Sequence, residues 1–155
     1  MGTISLVPLL LSSNVLIDLR VPPQARYAHF VRSRIASHAR CRGVPETDLE
    51  HFLTAVGEAL ANAIEHARSD HPIRIRFRLD ELTITATIAD AGIGFAASRL
   101  ATNLPHPMSE NGRGLPLMQR CSDIFRVRSI LGKGTAVLIG RRLLRQATTQ
   151  QCRSA

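Results

Sequence analysis

Tryptophan is absent from this 155-residue chain, tyrosine occurs once, and the only lysine is Lys133. Aromatic residues make up 4% of the chain, too few for the stacking platforms that hold single-stranded nucleic acids. The three cysteines, Cys41, Cys121 and Cys152, lie far apart with no CxxC pairing. That spacing excludes a zinc ribbon or a disulfide framework and points to a reducing compartment. No apolar run approaches the ~20 residues needed to span a bilayer. Residues 4–11 are apolar but lack a basic start, contain Pro8, and run into Ser12-Ser13-Asn14 without a small-residue cleavage pattern. They read as an extra strand or a lead rather than a signal peptide, and cytoplasm follows by elimination.

What is abundant is arginine. The net charge is +8, with Lys133 contributing one positive charge and arginine the rest. Such a charge speeds association with nucleotides, nucleic acids or acidic proteins. Two readings stay open: a solvated basic surface, or a specific acidic partner. Nucleic acid is disfavoured, because the arginines are scattered along the sequence and stacking residues are few.

Hydrophobic residues at 45% and charged residues at 21% describe a globular chain with room for one domain. Residues 14–21 alternate as a strand, closed by Pro22-Pro23. Over residues 24–40, Tyr27, Phe30, Val31 and Ile35 recur at helical spacing, leaving Arg26, His29, Arg32 and Arg40 on a basic face. Gly43 and Pro45 punctuate that helix. Thr47 and Glu50 have the spacing of a capping box. From there Leu49, Phe52, Leu53, Val56, Leu60, Ala63, Ile64 and Ala67 mark one apolar stripe of a long helix. Residues 73–79 and 82–89 alternate as a hairpin, with Arg74, Arg76 and Arg78 on its outer face. A loop over residues 91–112, a short helix over 115–121, and strands over 124–129 and 136–142 complete the order.

This order predicts an α+β fold: a two-layer sandwich with a mixed, mostly antiparallel sheet covered on one face by helices. The expected organisation is a lead over residues 1–13, one domain over 14–143 and a polar tail over 144–155.

Four clusters could carry chemistry. Glu58 and Asn62 stand one helical turn apart, so a carboxylate and a carboxamide project side by side. An amide oxygen suits a hard cation such as Mg²⁺, and a neighbouring carboxylate can take a proton. Asp90-Ala-Gly92-Ile-Gly94 follows a strand; its glycines allow close backbone approach and its aspartate can accept from an exocyclic amine. Asn111-Gly112-Arg113-Gly114-Leu115 opens a short helix, where backbone amides and a guanidinium could hold phosphates. Gly132-Lys133-Gly134-Thr135 superficially resembles a Walker A loop, but the upstream glycine and the following helix are missing.

In this order the clusters resemble the GHKL ATPase superfamily. Glu58 and Asn62 look like its N-box, Asp90-x-Gly92-x-Gly94 its G1 box, Gly112-x-Gly114 its G2 box, and Gly132-x-Gly134-Thr135 its last nucleotide-contacting turn. Within the superfamily, Gly57-Glu58-Ala59, Asn62-Ala63-Ile64, His66 and Gly114-Leu115-Pro116-Leu117-Met118 resemble the RsbW/SpoIIAB-type serine kinase and anti-sigma factors of partner-switching modules.

That resemblance implies an ATP- and Mg²⁺-dependent serine/threonine kinase. Its substrate would be a small STAS-type anti-anti-sigma antagonist, and it would sequester a sigma factor or another regulator. Glu58 would be the base and Asn62 the Mg²⁺ ligand. Asp90 would read the adenine amine, with Gly92 and Gly94 giving close approach. Gly112, Arg113, Gly114 and Leu115 would bound the lid and phosphates, and Thr135 would support the adenine pocket. A homodimer is also implied; direct nucleic-acid or membrane binding is not. The lid, residues 95–111, contains Pro105 and Pro107 and no lysine. The alternative is therefore a catalytically weak nucleotide-binding module acting by stoichiometric sequestration.

Overall fold

Alternation along the strands decides which way the sheet faces. The computed structural model describes residues 15–66, 70–95 and 114–143. Along the chain these form β1 (Val15–Val21), α1 (Arg26–Cys41), α2 (Glu46–His66), β2 (Ile73–Leu79), β3 (Thr83–Ala89), α3 (Gly114–Arg120), β4 (Ile124–Ile130) and β5 (Gly134–Arg142). The five strands lie in the order β1-β2-β3-β5-β4, and every neighbouring pair is antiparallel. The expected α+β sandwich is what forms, with no parallel pair among the described residues.

Ile73, Ile75 and Phe77 of β2, Ile84, Ala86 and Ile88 of β3, and Val137 and Ile139 of β5 turn inward and are buried. They meet Leu49, Phe52, Val56, Leu60 and Ala63 of α2, the stripe visible in the sequence. Each large side chain so removed from water contributes about 1.5–3 kcal/mol. Phe52 and Phe77 join the two layers directly, with ring centroids 6.2 Å apart and planes tilted by 53°. Arg141 of β5 reaches the same helix and donates to Asp48 at 2.7 Å.

The helix termini have local causes. Gly43, at φ +74°, lets the chain turn back after α1. Its amide donates to Arg40 O and the Val44 amide to Ala39 O, which satisfies two terminal carbonyls while Val44 is buried. At the start of α2 the Leu49 amide donates to Pro45 O. The helix therefore begins at Glu46, and Thr47 lies inside its first turn instead of capping it. Glu46 and Asp48 there complement the positive end of the helix. Phe30 also departs from expectation: it is 47% exposed, because the buried stripe of α1 runs through Val31 and Ile35, about 100° further round. Among the described residues no helix is long and apolar enough to cross a membrane.

Candidate functional site

The apolar stripe of α2 fixes which residues it shows on its other side. Glu58, Asn62, Glu65 and His66 fall there, but they are not equivalent. Glu65 and His66 are exposed, whereas Glu58 and Asn62 are half-buried. The first residue of α3 accounts for much of the difference. A Cβ built on Gly114 would stand 3.2 Å from Glu58 Oε2, 3.3 Å from Asn62 Nδ2 and 3.5 Å from Asn62 Oδ1. The α3 backbone thus covers the pair, at a distance only glycine tolerates without displacing them. Among the described residues nothing hydrogen-bonds the Glu58 carboxylate or the Asn62 amide.

A second group of residues gathers where β3 ends. The Asp90 amide donates to Thr135 O at 2.9 Å, and Asp90 Oδ1 accepts the Gly92 amide at 2.9 Å and the Thr135 amide at 3.3 Å. One carboxylate oxygen thus fixes the side chain, while Oδ2 accepts nothing from a described residue. Gly94 and Gly134 are obligatory here. At φ +59° a Cβ on Gly94 would lie 2.2 Å from Ile130 O. At φ +94° one on Gly134 would lie 2.1 Å from Asp90 O. Gly134 and Thr135 are the first residues of β5 rather than part of the turn, because their backbone pairs with Asp90 and with β4.

Ser129 escaped the sequence reading. Its Oγ accepts the Phe95 amide at 2.8 Å and lies 2.8 Å from Thr135 Oγ1. The Gly132 amide donates to Ile93 O at 2.6 Å. Together these bonds strap residues 93–95 to the β4–β5 hairpin. The available signal was register: counting outward from the turn at residues 131–133 pairs Ser129 with Thr135.

Leu115 is half-buried and packs on the core beside Met118, so its described contacts are those of a packing residue. Gly112, Arg113 and residues 96–111 of the lid lie outside the described residues. A shallow depression of about 520 Å³ runs along α1, lined by residues that include His29, Arg32 and Cys41, with Leu53 of α2. It shares no residue with either group and offers no glycine approach, so we assign it no nucleotide.

The donor set suits an adenine nucleotide with a hard cation. Asp90 Oδ2 is an acceptor of the kind that an exocyclic amine could use, the glycines leave room for close approach, and Asn62 offers an amide oxygen beside a carboxylate. Elements bearing the two groups pack together, since α2 lies against β3 and β5.

These features define an ATP-binding domain of the GHKL type. Residues 21–140 match the family described as the histidine kinase-like ATPase domain, and the chain belongs to that family. Within it, the chain is similar to the serine-protein kinase RsbW of Bacillus velezensis (strain DSM 23117 / BGSC 10A6 / LMG 26770 / FZB42). The identity is 30% over 132 residues, covering 78% of this chain and 82% of that protein. RsbW of Bacillus subtilis (strain 168) gives the same identity and coverage. RsbW of Bacillus cereus (strain AH820) is 28% identical over 140 residues, 84% of this chain and 86% of that protein. Among solved structures, a chain comprising the RsbU and RsbW domains of Rv1364c from Mycobacterium tuberculosis contains this fold over part of its length, with a TM-score of 0.64 at 19% identity. That match covers 82% of this chain and 31% of the other.

Proposed function

We propose that this chain is an ATP-dependent serine/threonine protein kinase of the RsbW type, working as a partner switch. Its substrate is a small STAS-type anti-anti-sigma protein, and its sequestered target is a sigma factor or another regulator. The observation that carries the reading is the Glu58–Asn62 pair: polar, half-buried, roofed by Gly114 and without a structural partner among the described residues. A half-buried polar pair with no hydrogen-bonding duty among the described residues is available for chemistry.

In this reading Glu58 receives the proton of the substrate hydroxyl. The hydroxyl oxygen forms the new bond to the γ-phosphorus, and the bond from that phosphorus to the leaving diphosphate oxygen breaks, its electron pair departing with ADP. Asn62 would hold Mg²⁺ through its amide oxygen, and the ion would supply neutralisation of phosphate charge. Asp90 accepts from the adenine amine through Oδ2, with Thr135 and Gly134 keeping the carboxylate in place. Arg113 supplies the charge clamp, and Gly112 and Gly114 bound the lid. We take residues 14–143 as the working unit, between a lead and a tail, acting in the cytoplasm.

A second reading has one observation in its favour. Lys133, the sole lysine, is exposed in the β4–β5 turn, so no lysine stands with Glu58 and Asn62. Weak transfer would leave a nucleotide-binding module that acts by sequestration alone. Incubating the chain with Mg²⁺-ATP and a STAS antagonist separates the two. Phosphoserine or phosphothreonine on the antagonist, abolished by Glu58→Gln while ATP binding persists, supports the kinase. An unmodified antagonist after prolonged incubation leaves sequestration.

A further inference from the structure

Alternation along β5 sends Val137, Ile139 and Arg141 to one side of the sheet, the side that the helices cover. Two core residues are thus followed by a charge. The Arg141 side chain is only 20% exposed, and its Nη2 donates to Oδ1 of Asp48, itself 16% exposed, at 2.7 Å. The buried Nε has no hydrogen-bond partner but lies 3.9 Å from Asp123 Oδ2, so the attraction there is coulombic. Asp123 is held in place: its Oδ2 accepts the Arg142 amide at 2.8 Å, and its own amide donates to Gly140 O at 2.8 Å.

A largely buried ion pair of this kind is a poor source of stability. Taking both charges out of water offsets most of their attraction, and an apolar pair of similar size often serves as well. What the pair adds is direction. The side chains that α2 buries are all apolar, and such contacts are non-directional. The bond to Asp48, by contrast, holds only over a few tenths of an ångström. Its position matters because the two carboxylates belong to the two walls of the candidate site. Asp48 lies in the first turn of α2, and Glu58 and Asn62 follow about 15 and 21 Å further along the same helix. Asp123 follows α3, whose first residue, Gly114, covers that pair: a Cβ there would stand 3.2 Å from Glu58 Oε2. The α3 segment therefore starts over Glu58 and Asn62 and leads to the guanidinium that holds Asp48.

We propose that Arg141 is a positioning residue for phosphoryl transfer. By holding α2 and α3 at their ends remote from the site, it sets how α2 lies against the sheet and against α3. It thereby sets where Glu58 and Asn62 stand beneath Gly114. Arg141 acts through α2 and touches no reacting group. The adenine half of the site is not on this linkage. Asp90 and Thr135 stand at the opposite end of the β3–β5 ladder, about 20 Å from Arg141, and strand pairing holds them there. A shift of α2 would therefore move the metal-holding amide while leaving the adenine acceptor where it is.

The inference rests on the kinase reading, and the test separates the two. ATP affinity is measured by calorimetry in Mg²⁺ and in EDTA, on the wild type, Asp48→Ala/Arg141→Met, Asp48→Ala and Arg141→Lys. The double variant removes both charges of the pair and should melt within about 5 °C of the wild type. In EDTA, where the adenine half dominates, it should bind ATP as the wild type does. The gain in affinity that Mg²⁺ brings should shrink about tenfold, since a displacement of 1 Å or less at Asn62 suffices. Asp48→Ala alone should show the same split. Arg141→Lys, which keeps a donor for Asp48, should recover most of the gain. A merely structural role predicts no split between metal-linked and metal-free affinities. An undiminished Mg²⁺ gain in the double variant, an equal loss with and without Mg²⁺, or a lysine variant no better than the double one would overturn the proposal. A wild type without any Mg²⁺ gain would fell the kinase reading and this inference with it.

Discussion

Gly114 of α3 and Asn62 of α2 meet across the candidate site, so closely that a Cβ on the glycine would stand 3.3 Å from the Asn62 amide nitrogen. The crowded atoms are the ends of side chains, which can shift by a few tenths of an ångström. Gly114→Ala is therefore expected to fold, with a melting temperature within a few degrees of wild type. Catalysis tolerates such shifts poorly, so transfer to the antagonist should fall about tenfold, and further in Gly114→Val. Thermal melts and initial rates on the same preparations check both halves.

The β4–β5 hairpin contains two glycines with positive φ and opposite surroundings. Gly132, at φ +75°, has open space where a Cβ would be, whereas at Gly134 a Cβ would strike the backbone oxygen of Asp90. Gly132→Ala should cost only the left-handed strain, about 1–2 kcal/mol. Gly134→Ala must also move backbone and should cost about 3 kcal/mol or more. Denaturant midpoints of the two variants would show the gap, and equal losses would contradict the placement of Gly134 against Asp90.

Ser129→Ala removes the acceptor for the Phe95 amide and the partner of Thr135 Oγ1. Stability should fall by about 1 kcal/mol. Nucleotide affinity should fall more than that loss explains, since the bond ties residue 95 to β4 at the hydroxyl that also meets Thr135 of β5. Ser129→Thr, which keeps the hydroxyl, should recover most of the affinity; calorimetry with ATP measures both.

At the β2–β3 turn, burial alone would raise the Asp80 pKa. Hydrogen bonds from the Thr83 hydroxyl and the Leu82 and Thr83 amides outweigh it, and hold the carboxyl below its ordinary value of 3.8. A depressed carboxylate stabilises the fold above its unfolded pKa, and that contribution is lost as pH falls through the lower folded value. Asp80→Ala should thus be less stable than wild type by about 1 kcal/mol at pH 7. The difference should shrink once the pH drops below 3.8. Urea unfolding of both proteins across that range tests it.

Local patterns in the sequence reported local structure faithfully. The stripe from Leu49 to Ala63 located α2 and its buried side, and alternation at Arg74, Arg76 and Arg78 placed them outward, because both signals come from periods that the backbone imposes. Glu58 and Asn62 were legible for the same reason: one turn of helix separates them. Long-range pairing was not legible. Nothing near residues 124–130 announces that β5 inserts between β3 and β4, so the strand order appears only when the sheet is assembled. Ser129 was hidden likewise, since its role depends on meeting Phe95 from a distant segment. Thr47 misled because a Ser/Thr-x-x-Glu spacing fits a cap, while the carbonyl of Pro45 begins the helix two residues earlier.

The most direct test of the account is calorimetric titration of Mg²⁺-ATP into the wild-type chain and into Asn62→Ala. The account predicts micromolar binding by the wild type and a loss of at least about a hundredfold in the variant, which keeps the helix but lacks the metal-holding amide. Equal affinity in the two proteins, or no binding by the wild type, would contradict the placement of a metal-linked nucleotide on α2.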